Sequence, residues 1–321
     1  MCDRLQQQAK QSKETRKQPQ SGNRCSSHPS VPVLGHVTVQ SLPSAPNRGE
    51  RVTFGGYGSG TGQFMYPSGV AVSEEGEIFV ADLRNQRIQV LTLKGTFVRQ
   101  FPTVVSGQEI EPYNVAMDGE TNLWVVGNTE TAGFAVQYHK QGRVLRKFEV
   151  QKTGWDRGVA VNTRKNHILI TQTTGDWPSL QGEVQVFKPD GTLVRTVGQQ
   201  QGMKRPWYIT VDGEGNILVS DLCDHCVYVY NEDGQFLLKF GGEGSGEGQL
   251  LHPFGICTDR AGNIIVIDRR KSRVEMFDKT GRFLKHVTTG VKEPQAVAMA
   301  TQGQLVMTSC REHTVTIFPN F

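Results

Sequence analysis

Two kinds of stretch in this 321-residue chain carry side chains whose types and spacing suit chemistry. In Cys223-Asp224-His225-Cys226 two thiols stand at the spacing of a zinc or redox pair. Zinc needs about four ligands in a tetrahedral array, and one such pair supplies half of them. His225 or Cys257 would have to be delivered by the fold. A redox pair needs a helix N-terminus or a neighbouring cation to depress a thiol pKa, and no helix is indicated here. The second kind is glycine-rich: FGGYGSGTGQF from Phe54 to Phe64, and FGGEGSGEGQL from Phe240 to Leu250. Both look at first like phosphate cradles. A phosphate loop, however, runs through Gly-Lys-Ser/Thr into a helix, and a dinucleotide loop also needs a helix N-terminus to follow. Here Gln63 and Gln249 are followed by Tyr66-Pro67 and His252-Pro253, then by an apolar strand. No phosphate is expected at either loop, and no cofactor is expected anywhere in the chain.

The elements around these stretches repeat. PSGVAV at 67–72 returns as PYNVAM (112–117), DRGVAV (156–161), PWYITV (206–211), PFGICT (253–258) and PQAVAM (294–299). Each is followed by a turn and an apolar strand, namely EIFVAD, NLWVVG, HILITQ, NILVSD, NIIVID and QLVMTS. A third strand follows each, and in five units a fourth strand led by glycine, as in GTFVRQF and GQFLLKF. Four strands in about 45 residues, six times over, is the signature of a β-propeller blade. The sixth unit ends without its fourth strand. RVTF at 51–54 precedes the first glycine stretch as FLLKF precedes the second, so an early strand can complete the last blade and remove two exposed sheet edges. The expected fold is all-β, a six-bladed propeller over residues 50–321. The glycine stretches are then crossings from the outer strand of one blade to the inner strand of the next.

GQFMYPSGVAVSEEGEIFVADLRNQRIQVL and GQLLHPFGICTDRAGNIIVIDRRKSRVEMF resemble NHL repeats. Across 51–321 the chain resembles the C-terminal domain of the TRIM-NHL proteins. In that family a RING, B-box and coiled coil precede a six-bladed propeller, and the whole acts as a ubiquitin ligase whose propeller selects substrate proteins or, in several members, binds RNA. The resemblance implies that the acid–x4–Arg pairs Asp82/Arg87 and Asp268/Arg273 are structural ion pairs pinning the turn between second and third strands. In the fourth blade Cys226 stands where the arginine would pair with Asp221, so that blade is expected to be pinned differently or to be looser. Gly127, Gln172 and Ser309 also depart from the acidic position in blades 2, 3 and 6. No zinc-spaced Cys/His pairs of a RING precede the propeller, so no catalytic residue is expected in it and any ligase module would lie outside these residues.

A candidate binding surface follows from the topology. Ser68, Tyr113, Arg157, Trp207, Phe254 and Gln295 open the innermost strands, where side chains are expected to gather at the mouth of the channel. Tyr113, Trp207 and Phe254 beside Arg157 suit stacking on bases or anchoring a peptide, and packing between blades is the competing role for the aromatics. Lys204 and Arg205 lie just before blade 4, and Arg269, Arg270 and Lys271 lie in the turn of blade 5. The loops of that face hold 12 basic and 14 acidic residues. A net negative face is no general phosphate sink, because affinity for nucleic acid backbone grows with accumulated positive charge. A protein partner is therefore the first expectation and RNA the second. A third, a propeller enzyme with an axial metal, needs inward His or acidic residues from several blades, and the eight histidines recur at no one repeat position.

Composition frames the remainder. The net charge of +4 belongs to the start of the chain: residues 1–24 hold six basic and two acidic side chains, and 50–321 hold 28 and 29. Residues 1–49 are polar and rich in Gln, Ser and Pro, and are expected to be a disordered basic tail. No apolar run approaches the roughly 18–20 residues of a membrane span, and the N-terminus lacks a signal peptide's apolar core. Six cysteines in 321 residues form no disulfide framework, and a reduced cytoplasmic setting is expected.

Overall fold

The computed structural model describes residues 51–153 and 157–319, so the expected tail at 1–49 lies outside the described residues. The chain forms six four-stranded antiparallel sheets. Blade 1 is Pro67–Val72, Glu77–Asp82, Arg87–Thr92 and Phe97–Pro102. Blade 2 is Glu111–Met117, Leu123–Asn128, Gly133–Tyr138 and Val144–Val150. Blade 3 is Val159–Asn162, His167–Thr174, Gln181–Phe187 and Leu193–Val197. Blade 4 is Pro206–Val211, Ile217–Asp221, Cys226–Tyr230 and Phe236–Gly241. Blade 5 is Pro253–Thr258, Ile264–Asp268, Arg273–Phe277 and Phe283–Thr289. Blade 6 takes Pro294–Met299, Leu305–Ser309 and Thr314–Phe318 from the end of the chain, and Val52–Gly55 from near its start. Val52 pairs with Ile317 and Gly55 with Thr314, so the ring is latched by an early strand on a late one. The inner strands touch one another in sequence around the ring and back to the first.

Why the second strands read as unbroken apolar runs becomes clear from their two faces. Ile78 and Val80 pack into one interblade core, while Phe79 and Ala81 pack into the next. Leu123 and Val125 likewise point back toward blade 1, and Trp124 and Val126 point forward toward blade 3. With both faces buried, alternation of apolar and polar residues has no purpose, and the hydrophobic effect selects apolar side chains at every position. The blades approach so closely at the axis that a side chain on certain glycines would strike the neighbour. A Cβ on Gly69 would lie 2.5 Å from the Asn114 Cα, and one on Gly255 2.8 Å from the Ala296 Cα.

Hydroxyl groups stitch the blades together near the axis. Thr308 Oγ1 of blade 6 donates to the Ser68 carbonyl at 2.7 Å, and Ser68 Oγ donates onward to Pro112 at 3.0 Å. Ser220 Oγ of blade 4 donates to the Phe254 carbonyl at 2.6 Å, and Thr171 Oγ1 of blade 3 to Trp207 at 3.3 Å. Thr171, Ser220 and Thr308 share one repeat position, the residue before the acidic site. Among the described residues no helix is long and apolar enough to cross a membrane.

Candidate functional site

The turns between second and third strands and the crossings between blades share one face. Asp82 is fully buried, and Arg87 Nε donates to its Oδ2 at 2.8 Å. The remaining guanidinium nitrogens turn to the glycine stretch, donating to the carbonyls of Ser59, Gly60 and Gln63 at 2.8–3.0 Å. A phosphate cradle turns amide N–H groups toward its ligand. This loop turns carbonyls toward a cation of its own chain, which is opposite in sign. Blade 5 uses Asp268 and Arg273 at 3.3 Å, joined by Lys271 at 3.1 Å, and both cations reach the Gln249 carbonyl.

Blade 4 is pinned through a different acid. Asp221 accepts the backbone amides of Lys204, Arg205, Cys223 and Asp224. Asp224 takes over the side-chain role, accepting from Lys239 at 2.7 Å, Tyr228 at 2.8 Å, Cys226 at 3.1 Å and Lys204 at 3.1 Å. Partial burial opposes ionisation of Asp224, but Lys239, Cys226, Tyr228 and Lys204 outweigh it and hold the carboxyl well below its usual range. Burial, and then Asp224, push the Cys226 thiol above its ordinary value, the reverse of a redox-active cysteine. No disulfide joins Cys223 and Cys226. Among the described residues no three His, Cys, Asp or Glu side chains are grouped to hold a metal.

At the channel mouth Trp207 and Phe254 take the competing role and pack between blades. Trp207 and Phe254 are only 7% and 2% exposed and pack on each other with centroids 4.8 Å apart. Each is capped on its outer side by a guanidinium, Arg205 over Trp207 at 4.6 Å and Arg269 over Phe254 at 4.3 Å. Ser68 and Gln295 are buried as well, and Tyr113 is half-buried with Asn128 Nδ2 donating to its hydroxyl at 3.2 Å. The physical reason lies in the backbone. In five blades the inner strand carries a register shift just after its leading proline, as between Pro67 and Val70 and between Pro206 and Tyr208. Such a bulge re-aims the side chains at the bend, here onto the adjoining blade.

Arg157 is buried to 1% exposure, donating to the Gln151 carbonyl at 2.5 Å. Desolvation lowers its pKa to about 10, so it stays charged at neutral pH. Most cations on this face are matched by carboxylates: Arg84 with Glu111, Arg269 and Arg311 with Glu293, Lys204 with Asp224, and Lys292 with Glu312. Arg205 is buried, whereas Lys204 and Arg270 are exposed at the rim.

Three aromatics that repeat logic did not single out are open to solvent on this face. Trp177, 72% exposed, sits at the tip of a blade 3 hairpin extended beyond its counterparts, on the turn between Thr174 and Gln181. Tyr57 and Tyr66, 65% and 38% exposed, flank His313 at the seam between blades 6 and 1. The available signal was the contrast with the second glycine stretch, which carries Glu243 and His252 in their places.

With this geometry the chain is a six-bladed β-propeller that resembles the NHL propellers of TRIM-NHL proteins. The NHL repeat family matches residues 64–91, and a family described as a 6-bladed beta-propeller matches 208–312. The chain is similar to the human E3 ubiquitin-protein ligase TRIM32, with 25% identity over 292 residues, covering 82% of this chain and 43% of that protein. It is similar to the Drosophila melanogaster protein brain tumor at 29% over 188 residues, 59% of this chain and 14% of that one. To lin-41 of Caenorhabditis elegans it is 48% identical over 48 residues, 15% of this chain and 4% of that protein. The chain thus spans less than half the length of these relatives. Among solved structures, a streptogramin B lyase superposes with a TM-score of 0.58 at 13% identity, over 84% of this chain and 96% of the lyase. A likeness at that identity shows the fold alone.

Proposed function

We propose that this propeller is a protein-interaction module that engages its partner through the loop-rich face. In the full-length gene product it would be the substrate-recognition end of a ubiquitin ligase of the TRIM-NHL kind, working in the cytoplasm. The observation that carries the reading is the charge pairing on that face. Lys204, Arg84, Arg269, Lys292 and Arg311 each sit against a carboxylate. Such cations read the polarity of a partner surface well but release few counterions from a phosphate chain. The proposed contact uses Arg269, Arg270, Lys204 and Lys271, with the half-buried Tyr113 of blade 2 on the same face. Trp207 and Phe254 act from behind, as the packed layer on which the Arg205 and Arg269 guanidinium groups rest, and Arg157 lies buried in blade 3.

The test compares the wild-type propeller with Arg270→Glu/Lys204→Gln, two exposed positions. Partners captured by the wild type and identified by mass spectrometry are expected to be lost by the variant at unchanged melting temperature. Within the full-length product, ubiquitin transfer to such a partner should fall in parallel. Partners retained by the variant would move the contact off this face. Binding of a ten-nucleotide uridine RNA that falls steeply with salt would replace the protein reading with the RNA one.

A further inference from the structure

We propose a second docking surface, separate from the mouth: the Tyr57–His313–Tyr66 cluster takes a proline-rich, extended segment of a partner protein. The two glycine crossings have the same backbone plan. Gly56 N donates to the His313 carbonyl at 2.8 Å, as Gly242 N donates to His225 at 2.8 Å. Tyr66 N donates to His313 Nδ1 at 3.1 Å, as His252 N donates to His225 Nδ1 at 3.1 Å. Tyr57 bridges to Phe64 as Glu243 bridges to Leu250. The second crossing therefore closes its seam with a glutamate and a histidine where the first has two tyrosines. Closure does not require a phenol at either position, yet both are held out in water, at 65% and 38% exposure.

The cluster is rigid. Each phenol ring meets the His313 imidazole with centroids 5.0 Å apart, at 64° for Tyr57 and 89° for Tyr66. The Tyr66 amide fixes the imidazole through Nδ1, and the Gly56 amide fixes the His313 backbone through its carbonyl. Two exposed aromatics on a preorganised backing are the composition of an interface anchor. The occupant follows from charge and hydrogen bonding. Arg84 beside Tyr66 in the turn of blade 1 is bonded to Glu111 at 2.5 Å, and Arg311 is 3.6 Å from Glu293. Stacked nucleotides would need cations free for their phosphates. A polyproline II segment needs none: its rings pack on aromatic faces, and its carbonyls, which make no internal bonds, accept from the phenol hydroxyls.

The experiment measures fluorescence anisotropy of a labelled ten-residue polyproline peptide with the whole chain, alongside a Gly-Ser peptide and a ten-nucleotide uridine RNA. Tyr57→Glu/Tyr66→His writes into the first seam the residues the second already uses, so it is expected to fold. It should weaken polyproline binding at least tenfold at unchanged melting temperature. Tyr57→Ser, which leaves the Tyr66 hydrogen bond in place, gives the same readout should the double variant unfold. Equal affinity in wild type and variant overturns the proposal. So does a wild type that fails to bind polyproline at millimolar peptide, binds the Gly-Ser peptide as well, or loses only RNA binding on substitution. Because Arg270 and Lys204 lie outside this cluster, the mouth variant should leave polyproline binding intact, so the two surfaces succeed or fail independently.

Discussion

Glu275 shows how one residue can run against the repeat that contains it. Its carboxyl is fully buried on the third strand of blade 5, beside Arg273 and in the field of Asp268. Desolvation is the larger effect and raises its pKa from 4.5 to about 7. The same position in blade 1 holds Gln89, whose amide bridges the Gln63 carbonyl and the Gly62 amide of the glycine crossing. An acid with a raised pKa in the folded state is destabilising once ionised. Folding takes up a proton between the two pKa values, so stability falls as pH rises from 4.5 through about 7. Glu275→Gln is therefore expected to stabilise the propeller by roughly 1–3 kcal/mol at pH 8, and by little below pH 4.5. Urea midpoints measured across pH 4–8 check this; a variant that gains nothing at pH 8 would show that Arg273 already compensates the buried charge.

At the scale of the blade, the inner strand is set by what the next blade permits. Gly255 has ordinary negative φ and is needed for space rather than for backbone freedom: a methyl group there would press on the Ala296 backbone at 2.8–2.9 Å. Two β-strands cannot separate at the axis without disturbing the whole ring, so Gly255→Ala is expected to cost about 1–3 kcal/mol as overpacking. Thr308→Val removes the donor to the Ser68 carbonyl and the acceptor for Ala296 N at nearly constant volume. Its expected cost is of similar size, about 1–3 kcal/mol for buried partners left unmade. Denaturant titration of both variants, followed by tryptophan fluorescence, separates the effects: only Gly255→Ala should alter the near-ultraviolet signal of the packed Trp207–Phe254 pair.

For the whole molecule, the ring was legible because repetition is a one-dimensional property: six inner-strand copies and a missing fourth strand are visible without coordinates. Which side chains face water was not legible, because it depends on a neighbour some 45 residues away. Trp207 and Phe254 are aromatic at a strand start, as an open mouth requires, but the bulge and the capping guanidinium groups of Arg205 and Arg269 enclose them. The blade 4 hub at Asp224 was equally hidden, since the loss of an arginine at Cys226 does not say which acid inherits its duty. The feature that repetition exposed most directly is also the one on which the ring depends. Val52–Gly55 supplies the fourth strand of blade 6, and Gly56, Tyr57 and Tyr66 then fasten to His313. A chain beginning at Gly56 retains the other 23 strands of the six sheets but leaves Thr314–Phe318 as an unpaired edge beside an uncapped core. Loss of that strand is expected to lower the thermal midpoint by at least about 10 °C, on the order of several kcal/mol for a domain of this size, and to make the protein self-associate through the new edge. Scanning calorimetry and light scattering would measure both. A peptide spanning 51–56 added in trans should restore part of the lost stability by mass action. An unchanged midpoint in the truncated chain would mean that the ring is closed by the interblade cores alone and that the latch contributes nothing to it.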